Sequence, residues 1–280
     1  MSKRNRLVLG LLSSSAISLL AYRRRSLSKS GIAGAITTGT ATFGLGGLAW
    51  GLSLIHFFVS SSLLSHYRER DKAQTATDKF SKGGQRDIVQ VAANGGIATA
   101  MAIGHSLTPS TSLRKMLQAG YVGALATATA DTWATELGVL STTAPRLITT
   151  GKATLPGTSG GITPLGTVAA ASGAFSLGLV FRLLNRRQTS WALLPIALLS
   201  GLMGSLFDSW LGATCQAMYY CPACQKETER HIHSCGKPTQ SLRGLPWMDN
   251  DVVNFLATLV GSLFAILLHL STQRRSRHDL

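Results

Sequence analysis

Eight stretches of about 16 to 24 residues, almost free of charge, run through this chain. They fall at 7–22, 31–46, 48–65, 88–107, 117–140, 164–184, 191–213 and 252–270. Crossing a hydrocarbon core takes about 20 apolar residues in a helix, since a backbone without water must satisfy its own hydrogen bonds. The runs predict an all-α, polytopic membrane helix bundle built from one domain of 280 residues. The second and third runs meet at Gly46-Gly47, where a re-entrant element is the alternative to two spans, so seven or eight transmembrane helices are expected. Only 14% of residues are charged, against about 25% in soluble domains. The net charge of +15 would suggest nucleic acid in a soluble protein. Here the basic residues flank apolar runs, which points to lipid head groups and no nucleic-acid partner. The segment 7–22 lacks a small-x-small cleavage site before Arg23-Arg24-Arg25 and is read as a retained span.

With eight spans, every long loop (23–30, 66–87, 141–163 and 214–251) falls on one side, which also carries the larger share of lysine and arginine. That excess predicts a cytoplasmic orientation. Asp131 and Asp208 sit late in spans running toward this side, and Asn94 sits early in a span leaving it. One end of the bundle is therefore expected to be polar and to hold a site.

The carboxylates are the strongest signal. Asp131-Thr132-Trp133 and Asp208-Ser209-Trp210 place a charge near the end of two apolar runs and suggest a duplicated unit. An ionisable residue within a span costs about 2.5–3.5 kcal/mol on insertion scales and is functional by default. Asp131, Glu136, Asp208, Asp249 and Asp251 can gather at one depth, as hard ligands suited to Mg²⁺ beside phosphates. On an ideal helix Asp131 and Glu136 point about 140° apart, so sharing a site requires a bend, with Gly138 a candidate hinge. Helix capping and interhelical hydrogen bonding are the structural alternative.

Two glycine-rich segments accompany them. Pro156-Gly157-Thr158-Ser159-Gly160-Gly161 precedes a span, where loop amides and a helix amino terminus favour anions. Arg146 and Lys152 lie near it in sequence, and the chain has no P-loop motif. Lys82-Gly83-Gly84-Gln85-Arg86-Asp87 leads to Asn94-Gly95-Gly96, read as a broken or closely approached helix lining the site. A solvated loop is the alternative for the first half.

The 214–250 insertion carries Cys221-Pro222-Ala223-Cys224, His231, His233 and Cys235. Cys221, Cys224, His231 and Cys235 make a Cys₃His set for structural Zn²⁺, with a disulfide or redox pair, or neither bridge nor metal, as the alternatives.

Several segments in order resemble the domain of unknown function 92 family of membrane proteins, whose members include plant phytyl-phosphate kinases and an animal transmembrane protein of unknown role. They are TFGLGGLAWG (42–51), SSSLLSHYR (60–68), ANGG (93–96), ADTWATELGVLS (130–141), PRLITT (145–150), PGTSGGIT (156–163), DSWLGAT (208–214) and DNDVVN (249–254). The resemblance covers roughly 28–270 and does not require the cysteine loop. It implies a Mg²⁺-dependent isoprenyl monophosphate kinase that uses a nucleoside triphosphate. Catalysis would fall to Asp131, Glu136, Asp208 and Asn94. Substrate would be held by Arg146, Gly157, Thr158, Ser159, Gly160, Gly161 and Asn254, and Mg²⁺ by Asp131, Asp208, Asp249 and Asp251. The expected setting is a bacterial plasma membrane with the site on the cytoplasmic face. An ion-coupled transporter or channel is the competing class, because paired intramembrane carboxylates and broken helices also serve transport.

Overall fold

The computed structural model describes residues 2–76 and 85–278, so Lys82-Gly83-Gly84 lies outside the described residues. The eight apolar runs all become helices. They are α1 (Lys3–Arg23), α2 (Lys29–Ala41) continued by a π turn (Thr42–Gly46), α3 (Leu48–His66), α5 (Ile88–Leu107), α6 (Thr111–Gly138), α7 (Pro164–Leu184), α8 (Leu193–Thr214) and α9 (Asn250–His278). A short α4 (Glu69–Ala76) was not anticipated. The 31–46 and 48–65 runs separate at Gly47, whose φ of +101° suits glycine and ends one helix before the next begins.

Among the described residues, five helices are long and apolar enough to cross a membrane: α1, α3, α7, α8 and α9. This is fewer than the seven or eight expected. The α2 helix has 13 residues and is continued by the five of its π turn. The α5 and α6 helices are long enough but not apolar enough, and for α6 the reason is its position. It packs against α3, α5, α7, α8 and α9, and every residue from Gln118 to Ala130 is buried. A helix shielded from lipid by its neighbours needs small residues more than apolar ones. Lipid-facing leucines lie instead on the outer helices, such as Leu12, Leu63 and Leu267.

Close approach at the centre depends on glycine. Thr127 of α6 sits against Gly204 of α8 and Gly261 of α9, where a Cβ on either glycine would overlap its side chain. Away from the polar end, Trp50, Tyr121 and Phe181 form an aromatic cluster with ring centroids 4.3–5.9 Å apart. The Tyr121 hydroxyl donates to the Trp50 carbonyl. This half of the bundle is filled.

The loops do converge at one end. The strand-like pairing of Leu27 with Arg86 ties the first loop to the start of α5, and Lys72 of α4 reaches Glu136 of α6. A two-residue pairing joins β1 (Arg146–Leu147) to β2 (Gly161–Ile162). Among the described residues, the 214–250 insertion adds the larger of two sheets, three antiparallel strands of order β4-β3-β5 (Lys226–Thr228, Met218–Cys221, Gln240–Arg243).

Candidate active site

At the converging end lies a cavity of about 450 Å³ whose walls come from α3 through α9 and from the intervening loops. The chain places Asp131, Glu136, Asp208, Asn94, Gly157, Thr158, Ser159, Gly160, Gly161 and Asn254 on its lining.

Asp131 and Asp208 face it from the parallel-running helices α6 and α8. Ser205, three residues before Asp208, lies 3.3 Å from Asp131 Oδ1 and donates to it. Asp208 is within electrostatic reach of both Asp131 and Glu229, and its Oδ2 is buried without a hydrogen-bond partner among the described residues. A buried carboxylate oxygen with no donor, close to two other carboxylates, is the environment a hard divalent cation satisfies. The duplicated tripeptide does not extend to its tryptophans. Trp133 is partly buried and its Nε1 donates to Ser60, whereas Trp210 is exposed and stacks on Phe207.

Glu136 reaches the cavity without a break in α6, because the cavity wraps around the end of that helix; the hinge expected at Gly138 is not needed. Both its oxygens are engaged, with Ser65 Oγ at 2.6 Å and Lys72 Nζ at 2.5 Å. Lys72 Nζ also donates to the Leu64 carbonyl. Glu136 thus holds a cation at the rim.

The α5 helix is continuous through Asn94-Gly95-Gly96, which corrects the expected broken or closely approached helix. The Asn94 amide donates back to the Gln90 carbonyl. A Cβ at Gly95 or Gly96 would meet nothing within 4 Å. These glycines therefore leave space beside the helix.

Two further expectations are corrected. Asp249 and Asp251 do not line the cavity, and Asn250 and Asn254, one helical turn apart, do. Asp249 Oδ1 accepts from the Asp251 and Val252 amides at 3.0 Å, the capping position that satisfies open N–H groups of a helix start. Asp251 is buried, about 100° round the helix from Asn250. Arg146 is exposed and donates to the Gly151 carbonyl, closing a turn, so it is not a cavity residue. Among the described residues, the cations lining the cavity are Lys72, Arg86 and Arg230. Arg86 is held by Ser62 Oγ at 3.2 Å and stands over the Phe58 ring. Burial pulls its guanidinium below the usual arginine value, and Glu136 opposes that shift. In the sequence Arg86 is marked by its place in the 82–87 segment, just before the Asp87–Gln90 capping box of α5. Nothing in spacing marks Lys72 or Arg230.

The glycine loop lines the cavity and turns on left-handed glycines. Gly157 and Gly160 have φ of +76° and +82°, and a Cβ on Gly160 would run into the backbone of Ala213. Thr163 caps α7 by accepting from the Gly166 amide.

A second, apolar pocket of about 80 Å³ lies between α1, α2, α3 and α5, lined by side chains such as Ile17, Leu54, Phe57, Phe58 and Val91. It shares Arg86, Gln90 and Asn94 with the polar cavity.

In the insertion, the metal-ligand atoms of Cys221, Cys224, His233 and Cys235 lie within 4.8 Å of one another. His233 takes the place expected for His231. A turn from His233 to Gly236, whose φ is +78°, holds His233 beside Cys235, while His231 packs against Tyr219 with the rings tilted and their centroids 4.3 Å apart. The Cys235 thiol is pulled down to about 6, first by its hydrogen bond with His233 and then by the Lys237 backbone.

Residues 12–262 match the family described as integral membrane protein DUF92. The chain is 35% identical to Protein PGR of Arabidopsis thaliana, covering 92% of this chain and 94% of that one. It is 29% identical to an uncharacterized membrane protein of Methanocaldococcus jannaschii, covering 94% of each. With Protein VTE6, chloroplastic, of Arabidopsis thaliana it shares 27% identity over 86% of this chain and 65% of the relative. No solved structure matches. These relatives come from a plant and an archaeon, and one is chloroplastic, so they mark a membrane protein and not a bacterial plasma membrane in particular.

Proposed function

Because this chain belongs to the DUF92 family of integral membrane proteins, we propose that it is a phosphotransferase acting on a lipid phosphate, with an isoprenyl monophosphate as substrate and a nucleoside triphosphate as donor. The observation that carries this reading is the junction of two cavities of opposite character at Arg86, Gln90 and Asn94. An amphiphile with a phosphate head and an apolar tail fits such a junction. The head would sit among Lys72, Arg86, Arg230 and the glycine-loop amides, and the start of the tail among Phe57, Phe58 and Leu54. The family resemblance to phytyl-phosphate kinases supports the same substrate class.

In the reaction, a terminal oxygen of the prenyl monophosphate attacks the γ-phosphorus of the nucleotide. The new P–O bond forms as the β,γ-bridging bond breaks, and nucleoside diphosphate leaves. Positioning and charge neutralisation account for most catalysis of this kind. Lys72, Arg86 and Arg230 offset phosphate charge, and Asn250 and Asn254 offer amide donors. Asp131 and Asp208 would hold Mg²⁺, which when bound neutralises charge on the transferring phosphoryl group. The loop-rich end would face the cytoplasm, where nucleotides are available. A channel is disfavoured because α6 is wholly buried from Gln118 to Ala130 and the aromatic cluster fills the far half.

Purified protein supplied with Mg²⁺, geranylgeranyl or phytyl phosphate and each of the four common nucleoside triphosphates should form prenyl diphosphate. Absence of product with all four would overturn the reading. Gly95→Leu tests the tail pocket, since a side chain there has room and would occupy the apolar space. Turnover at low concentration of a twenty-carbon prenyl phosphate should fall about tenfold, carried by KM. A five-carbon prenyl phosphate should be affected far less. Equal loss for both would place the tail elsewhere.

A further inference from the structure

We propose that Cys221, Cys224, His233 and Cys235 bind one Zn²⁺, and that this ion sets the position of the glycine loop through the buried side chain of Gln216. The four ligand atoms lie within 4.8 Å of one another. Cys221 Sγ and Cys235 Sγ are 3.8 Å apart. Zn–S bonds of about 2.3 Å in a tetrahedron put two sulfurs about 3.8 Å apart, whereas a disulfide needs about 2.05 Å. Three thiolates and one imidazole form a closed structural set with no open position for chemistry. Two turns present them: Cys221 and Cys224 flank the turn that follows β3, and His233 and Cys235 lie within the turn closed by the Gly236 amide on the His233 carbonyl.

The insertion has reason to need a metal. Its buried side chains are few, chiefly Met218, Tyr219, Cys221, Thr228 and His233. A three-stranded sheet of strands three or four residues long buries too little apolar surface to hold itself together.

What the insertion does for the rest of the chain follows from its base. Gln216, 2% exposed, precedes β3. Its Nε2 donates to Glu229 Oε1 at 2.9 Å, just beyond β4, and its Oε1 accepts from Ser159 Oγ at 2.6 Å. Arg243 of β5 donates to the Gly212 and Ala213 carbonyls at the end of α8, and the Ala213 backbone is the surface against which Gly160 packs. The order imposed on β3 and β4 at the metal end therefore reaches Ser159 and Gly160 by two routes, one through Glu229 and Gln216 and one through Arg243. Glu229 and Arg230 line the cavity themselves, so loosening the insertion would displace them as well.

The test uses the full chain, purified in detergent without chelator. Elemental mass spectrometry should find about one zinc per chain in the wild type and in His231→Ala, and a loss of zinc in Cys224→Ser and His233→Ala. Hydrogen exchange should then be compared between zinc-loaded and chelator-treated wild type, which needs no variant to fold. Amides of residues 157–161 should exchange at least several-fold faster after zinc removal and recover when zinc is restored. Gln216→Leu should keep its zinc and show faster exchange at the same amides. Less than about half an equivalent of zinc in the wild type, or loss of zinc in His231→Ala with retention in His233→Ala, overturns the site. Unchanged exchange on zinc removal overturns the coupling. Neither readout requires turnover, so both stand apart from the proposed kinase activity.

Discussion

Asp131→Asn and Asp208→Asn are each expected to lower prenyl diphosphate formation by about a hundredfold or more, equivalent to about 2.7 kcal/mol of transition-state stabilisation, with the fold retained. The two carboxylates face one cavity from α6 and α8, with Ser205 donating to Asp131 from the turn before Asp208. An amide preserves size and keeps an acceptor for Ser205, so Asp131→Asn removes charge and little else. Asp208 Oδ2 has no partner among the described residues, and neutralising an unpartnered buried charge should leave thermal stability unchanged or raise it. Loss of a hard anionic ligand should also weaken the dependence of rate on Mg²⁺ concentration. A purely structural role makes the opposite forecast: poor folding, with normal activity in the protein that survives. Thermal unfolding, Mg²⁺ titration and product formation measured on both variants separate the two. Normal turnover in either variant would remove that carboxylate from the site.

Gly261→Ala and Gly204→Ala should each destabilise the bundle by about 1–3 kcal/mol, the usual cost of overpacking a tight core. Thr127 is enclosed between these glycines, and its hydroxyl donates to the Ser200 carbonyl of α8. A single methyl on α8 or α9 would force the helices apart along α6, which has no lipid-facing side between Gln118 and Ala130 to yield toward. Because the two glycines share one partner, their effects should not add. Thr127→Ala should partly rescue Gly261→Ala by removing the hydroxyl that the new Cβ meets. Thermal unfolding midpoints and the monodisperse fraction in detergent report this. A neutral Gly261→Ala would mean that α6 and α9 are not in contact at this depth.

Asp131 and Asp208 were legible because a carboxylate in an apolar run is rare whatever surrounds it. The glycine loop was legible because its composition and its place before Pro164 both indicate local backbone geometry. Arg86, Lys72 and Arg230 were not, since a basic residue in a loop reads the same whether it faces solvent or a cavity. Their place on the cavity wall depends on loops far apart in sequence meeting at one end. Asp249 and Asp251 misled for the related reason that a carboxylate at a helix start serves a cap as readily as a metal. Choosing His233 over His231 required the turn at Gly236.

The sequence by itself determined the helices, because each apolar run must satisfy its own backbone hydrogen bonds wherever it lies. It also determined that one end would be polar, because loop length and charge alternate along the chain. Only the tertiary structure decided which helix is central. Lipid and protein interior are equally apolar, so burial of α6 is set by which small residues meet, as at Gly204, Thr127 and Gly261. It alone decided that the polar cavity and an apolar one lie side by side, since the residues they share, Arg86, Gln90 and Asn94, come from α5 and the loop before it.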